Sequence, residues 1–297
     1  MNNYLGQRIC FVNCHHQPQI FKIIMKNLVW IASYPKSGNT WLRSIIFAAL
    51  TGRVELNELR AVVPGFNALQ MAKPASKSSN TLKTHVEYRD QAQEIAFLRA
   101  DNKFQFFKTH SAAIEINGSN FPNISCTAKA VYIVRDPRDV AVSYARHYGK
   151  DINDTIQSML DTHNTSHGDK QIEFLSSWKM HVMSWQKRKF PVLLIRYEDL
   201  LENTELEIRR LLNFLALTPK ISVAELVQAT AFATLKSKET KVGFTEAVDK
   251  KRFSGKENPG MEIFFWAQIS PKWRRSLLTL WDNSVTGELK GVRHCVT

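Results

Sequence analysis

The chain has 297 residues, 44% of them hydrophobic and 23% charged, a composition with enough apolar side chains for a sizeable core. Its 40 Lys and Arg against 27 Asp and Glu leave a net charge of +13, which draws anions such as nucleotides, phosphates, nucleic acids or acidic membranes without choosing among them. No stretch approaches the roughly 20 apolar residues of a membrane span, and four scattered cysteines argue against a disulfide-framed secreted domain, so a cytoplasmic setting is expected.

Residues 1–24 lack periodicity and read as a poorly ordered N-terminal extension, leaving a single domain over 25–297. Cys10, Cys14, His15 and His16 cluster in that extension, but no second ligand pair follows at zinc-binding spacing, and no metal site is expected. The first apolar run, Asn27 to Ser33, ends in Tyr34-Pro35-Lys36-Ser37-Gly38. A helical pattern then puts Leu42, Ile45, Ile46 and Ala49 on one face between Asn39 and Leu50. Residues 60–100 show little periodicity and are expected to be a long irregular segment of the kind that forms lids and substrate loops. Phe104–Lys108 and Ala130–Val134 read as strands, the second followed by Arg135-Asp136-Pro137 and a helix from Arg138 to His147, with Pro137 suited to its first turn. Further on, the pattern predicts a helix over 171–189, a strand from Val192 to Tyr197, and helices over 202–216, 221–231 and 271–282. A second irregular stretch is expected over 235–265. Strands alternating with helices predict an α/β fold, a central parallel sheet flanked by helices, with ligands at the carboxyl ends of the strands.

The loop after the first strand has the makings of an anion cradle. Backbone N–H groups of the turn and of the first helical residues converge, Lys36 adds a full charge, Ser37, Asn39 and Thr40 add side-chain donors, and Gly38 permits the tight turn. The lysine precedes the glycine, so this is not the Walker A loop of ATP-dependent phosphotransferases. Such an enzyme is the rival enzymatic reading, and a basic polyanion-binding protein the non-enzymatic one.

The octet Tyr34-Pro35-Lys36-Ser37-Gly38-Asn39-Thr40-Trp41 resembles the 5′-phosphosulfate loop of the sulfotransferase family, whose P-loop-like domain uses 3′-phosphoadenosine-5′-phosphosulfate (PAPS). The resemblance implies that Lys36, Ser37, Gly38, Asn39, Thr40 and Trp41 hold the 5′ end of the donor. In that family an arginine and a serine eight residues later hold the 3′-phosphate, and Arg135 and Ser143 match. An arginine fork grips phosphate bidentately, although Arg135 taken alone reads equally as a surface partner of Asp139. Family members also carry Lys-x-His at a strand end, with the histidine as base. This chain has two copies, Lys83-Thr84-His85 and Lys108-Thr109-His110. The second follows a convincing strand, so His110 is the expected base, His85 the next candidate, and Lys36 and Lys108 the expected stabilisers of developing charge.

Two smaller matches extend the resemblance to about residue 232. Arg196-Tyr197-Glu198-Asp199-Leu200 is similar to a family motif whose tyrosine lies near the donor, and Val227–Phe232 to a segment whose threonine and aromatic, here Thr230 and Phe232, contact the nucleotide. The late 3′-phosphate loop departs in register, leaving Arg252, Gly255 and Lys256 as candidates. The implied activity is sulfuryl transfer to a hydroxyl or amine of a small-molecule acceptor, without metal or nucleic acid. Phe66, Met71, Phe97, Phe264 and Phe265 are available to line its pocket. The family's dimerisation segment is not recognisable, so oligomeric state stays open.

Overall fold

The computed structural model describes residues 26–72, 80–100, 103–167 and 171–243. Its strands in chain order are β1 (Leu28–Ser33), β2 (Gln105–Thr109), the hairpin strands β3 (Glu115–Ile116) and β4 (Ser119–Asn120), β5 (Thr127–Val134), a second pair β6 (Thr165–His167) and β7 (Ile172–Phe174), and β8 (Val192–Arg196). Four of them form one sheet in the order β2-β1-β5-β8, every neighbouring pair parallel. This is the predicted α/β architecture, and both central strands are buried on both faces.

Alternation along each strand feeds two separate cores. Leu28, Trp30 and Ala32 of β1 join Ala130, Tyr132 and Val134 of β5 on one face of the sheet. Val29 and Ile31 join Val131 and Ile133 on the other. Truncating one of these fully buried residues, as in Ile31→Ala, would cost about 2–5 kcal/mol.

The helices are α1 (Asn39–Thr51), α2 (Leu59–Val62), α3 (Ala68–Ala72), α4 (Leu82–Glu87), α5 (Arg89–Arg99), α6 (Pro137–Tyr148), α7 (Ile152–Leu160), α8 (Trp178–Gln186), α9 (Tyr197–Glu202), α10 (Thr204–Leu215), α11 (Val223–Thr230) and α12 (Phe232–Val242). Residues of α6, α7 and α8 pack into the first core, and residues of α1, α10 and α11 into the second. Local signals set their ends. Gly52, at φ 81°, stops α1 by donating to the Ala48 carbonyl, while Asp136 caps α6 and Pro137 occupies its first turn. Ser222 and Glu225 form a reciprocal capping box on α11.

Several expected boundaries are corrected. The segment 60–100 carries four short helices among its described residues. The buried face of α5 is Arg89, Ala92, Gln93 and Ala96, two small and two polar residues that mute the apolar period. Gln93 belongs inside because its carboxamide donates to the Asn120 carbonyl at 3.1 Å and accepts from the Asn123 N–H at 2.7 Å. The helix expected over 171–189 begins only at Trp178. Residues 172–174 are extended against β6, Ser176 turns at φ 59°, and Ser177 caps α8. The helix expected over 202–216 is present as α10, preceded across Asn203 by the unexpected short helix α9, and α12 occupies the start of the stretch expected to be irregular. The extension with Cys10, Cys14, His15 and His16, the helix expected over 271–282, and the candidates Arg252, Gly255, Lys256, Phe264 and Phe265 lie outside the described residues. Among the described residues no helix is long and apolar enough to cross a membrane, and no group of three or more His, Cys, Asp or Glu could hold a metal ion.

Candidate functional site

Because β1 and β5 are hydrogen-bonded neighbours running in one direction, the turns that leave them open on the same edge of the sheet. In the first turn Lys36 and Gly38 both adopt left-handed backbone, at φ 66° and 101°. Gly38 has a second reason to be glycine, since a Cβ there would lie 2.7 Å from Cδ2 of Tyr197 and 3.1 Å from Cδ1 of Ile133. Asn39 donates from Nδ2 to the Ile31 carbonyl at 3.1 Å and to Ser33 Oγ at 3.3 Å, binding the loop back to its strand. Among the described residues Ser37 Oγ and Trp41 Nε1 are buried without a hydrogen-bond partner, a costly condition in a closed interior. Thr40 sits partly exposed on the first turn of α1.

Across the sheet, the second turn places the Arg135 guanidinium 4.5 Å from the centre of the Tyr197 ring. Arg135 also lies 3.8 Å from Asp139, so the ion pair is present, while its Nε has no hydrogen-bond partner among the described residues. Tyr197 opens α9 and meets the Trp41 ring edge-on at 5.6 Å. One ring therefore touches both turns: Gly38 and Trp41 from the first, Arg135 from the second. Glu198 fastens the arrangement by accepting the Asp136 N–H at 2.9 Å. Asp136 itself accepts from the Arg138 N–H and pairs with the Arg138 guanidinium. Ser143 is partly exposed two turns along α6. Thr230 ends α11, fully buried, its hydroxyl donating to the Leu226 carbonyl at 2.6 Å, and Phe232 begins α12 with 41% of its surface exposed.

On the other side of β1, His110 follows β2 directly. Its Nδ1 lies 2.9 Å from the Ser33 carbonyl, which assigns the ring proton to Nδ1 and leaves the lone pair on Nε2. Desolvation by the surrounding protein holds the ring well below the ordinary histidine range, and Lys108 pushes the same way, so the imidazole is neutral at pH 7. The backbone around it is fixed at several points. His110 N–H donates to Glu173 Oε1 at 2.6 Å, and Thr109 Oγ1 donates to the same oxygen at 3.2 Å. The His110 carbonyl accepts from His181 Nε2 at 2.9 Å, and Tyr132 O–H donates to His181 Nδ1 at 2.8 Å. Trp185 Nε1 holds the Ser111 carbonyl at 3.1 Å.

Lys108, partly buried, is flanked on the sheet edge by Pro64 and Phe66 through bonds of 2.7 and 2.9 Å. The other Lys-x-His copy is helical: His85 lies in α4 with Nε2 2.8 Å from Asn80 Oδ1, and Lys83 is exposed. His85 nevertheless reaches the neighbourhood, for it lines a small pocket with Phe66, Ser111, Phe121 and Glu173. Arg89 lines it too, its guanidinium donating to the Ser119 carbonyl at 2.6 Å and brought down to about 10 by burial. Met71 and Phe97 pack against the edge of the first core. The sequence reading missed Glu173, His181 and Glu198. Glu173 and His181 lie within 171–189, where the pattern predicts one helix, and Glu198 lies in the Arg196–Leu200 motif, where only the tyrosine is given a role.

Residues 26–288 match the model of the sulfotransferase domain. The chain belongs to that family. It is 29% identical over 220 residues to sulfotransferase 1B1 of Canis lupus familiaris, with 69% of this chain and 65% of that protein covered. It is 27% identical over 211 residues to luciferin sulfotransferase of Photinus pyralis, with 70% and 55% covered. The chain thus spans somewhat less than two thirds of these curated relatives. Against sulfotransferase 1E1 of Homo sapiens it is 25% identical over 280 residues, covering 93% of this chain and 84% of that one. Among solved structures, a mouse sulfotransferase complexed with PAP superposes with a TM-score of 0.56 at 21% identity, over 90% of this chain and 87% of the other, a likeness of fold. The sulfotransferase domain here thus has the parallel sheet on which the two turns and His110 are mounted.

Proposed function

We propose that this chain transfers a sulfuryl group from PAPS to a hydroxyl or amine of a small acceptor. The observation that carries the reading is the meeting of Gly38, Trp41 and Arg135 around Tyr197, which joins two anion-gripping turns into one crevice. The residues fit the donor: among the described residues Ser37 Oγ and Trp41 Nε1 are buried donors in need of an acceptor, and Arg135 offers an Nε that no described group uses. When bound, the donor supplies the sulfuryl group and the phosphate that leaves.

Lys36, Ser37, Gly38, Asn39, Thr40 and Trp41 hold the 5′ end in this reading, with Asn39 contributing through its backbone because its amide nitrogen is tied to β1. Arg135 and Ser143 grip the 3′-phosphate, with Arg252, Gly255 and Lys256 completing the grip. Tyr197, Thr230 and Phe232 flank the nucleoside. His110 Nε2 takes the acceptor's proton, while Nδ1–H stays on the Ser33 carbonyl and that bond strengthens as the ring becomes charged. Lys36 and Lys108 stabilise charge that develops on the transferring oxygens. Phe66, Met71 and Phe97 are the described apolar residues available to contact the acceptor. A single domain from residue 25 onward, a cytoplasmic setting, and independence of metal and nucleic acid complete the proposal.

The test pairs transfer of radiolabelled sulfate from PAPS to a panel of phenols, alcohols and amines with thermal-shift titration against adenosine-3′,5′-bisphosphate and ATP. Labelled product and saturable one-to-one binding of the bisphosphate in preference to ATP are expected. Preference for ATP, or multi-site binding that collapses with salt, would overturn the reading.

A further inference from the structure

Glu173 is a buried carboxylate with an unusual set of neighbours. Among the described residues it forms no ion pair, and both hydrogen bonds it accepts come from the end of β2, from the His110 N–H at 2.6 Å and from Thr109 Oγ1 at 3.2 Å. Burying a carboxylate without a counter-charge is expensive. What it secures in return is the backbone of His110.

Each of the other ties on that residue comes from a different element. Ser33, ending β1, takes the Nδ1 proton, and His181 of α8 holds the carbonyl. Glu173, in β7, supplies the third point and the one charge-assisted bond of the set. Its strand is itself anchored on both sides, with the Phe174 carbonyl accepting from Ala112 N–H at 2.8 Å and Gln171 Nε2 donating to the Phe66 carbonyl at 2.6 Å. The N–H, the carbonyl and the ring of His110 are thus fixed independently, leaving Nε2 one direction to face.

We propose that Glu173 is a positioning residue for His110, holding the imidazole so that Nε2 faces the acceptor through the bond from its carboxylate to the His110 N–H. This rests on the reading of His110 as the base. Glu173→Ala should lower kcat about 10- to 100-fold, the loss expected of a reacting group displaced by about an ångström. The dissociation constant of adenosine-3′,5′-bisphosphate should stay within about twofold, because Glu173 touches neither anion turn. Glu173→Gln, which keeps an acceptor oxygen, should recover turnover to within about threefold of the wild type. If Glu173→Ala does not fold, Glu173→Asp, which withdraws the carboxylate by one methylene, carries the same expectation as Glu173→Ala.

A readout independent of turnover is the nitrogen NMR signature of the His110 ring. It should report a fixed Nδ1–H tautomer in the wild type and in Glu173→Gln, and an averaged one in Glu173→Ala or Glu173→Asp. Wild-type kcat in Glu173→Ala, or an unchanged ring signature, would overturn the assignment. A wild-type chain without transfer activity would defeat the functional reading instead, and the ring signature would still decide the role of Glu173.

Discussion

Replacing Gly38 by alanine tests whether one tyrosine ring couples the two anion turns. At φ 101° a side-chain-bearing residue is strained by about 1–2 kcal/mol. The added Cβ would also stand 2.7 Å from Tyr197 Cδ2 and 3.1 Å from Ile133 Cδ1, neither able to retreat without disturbing packed neighbours, and such overpacking costs a further 1–3 kcal/mol or so. The sum, about 2–5 kcal/mol, is a large share of the roughly 5–15 kcal/mol that keeps a domain folded. Gly118→Ala is the matched control. It also sits at positive φ, 80°, but its Cβ would meet nothing within 4 Å, so it carries the backbone strain alone. Urea denaturation of both variants should show Gly38→Ala less stable by about 1–3 kcal/mol. Calorimetry should show its bisphosphate affinity reduced, because the displaced ring also lies under Arg135. Equal stabilities with unaltered affinity would refute the coupling.

Lys36 is a non-glycine residue at φ 66°, so Lys36→Gly should raise stability by up to about 1 kcal/mol while lowering turnover as strongly as Lys36→Ala, a divergence that denaturation and sulfate transfer together would expose. His110→Ala should abolish transfer and leave bisphosphate affinity intact. In the wild type the acid limb of kcat/KM should lie below pH 6.5, since burial and Lys108 both depress the ring. His181 is held neutral by burial, its value lowered to about 4. Its contribution to stability is therefore complete above pH 6.5 and declines as pH falls toward 4, because the unfolded chain takes up the proton first. That amounts to about 2 kcal/mol between pH 6.5 and 5. Urea titrations at those two pH values should show the decline, and His181→Gln should remove it.

The two Lys-Thr-His tripeptides mark how far a sequence carries. Identical in composition, one is helical and the other ends a strand, and only the flanks, Phe104 to Phe107 against a polar approach to Leu82, told them apart. The two central strands, β1 and β5, were legible because burial on both faces gives them apolar runs. The support of His110 was not. Glu173 and His181 act through main-chain groups distant in sequence, and no side-chain period encodes which carbonyl or N–H a buried polar group will meet. The surroundings of α5 were hidden for a related reason, since Gln93 is inside for its hydrogen bonds rather than its hydrophobicity.

The register of β1 against β5 has a consequence for which ligands the crevice can tell apart. Neighbouring strands stand about 4.8 Å apart, and their pairing from Val29 to Ser33 leaves neither turn able to slide past the other. The sheet thereby acts as a fixed calliper. Under the proposed function, a nucleotide with a phosphate at one end alone would satisfy a single jaw, and selection would become a measurement of length before any contact with the base.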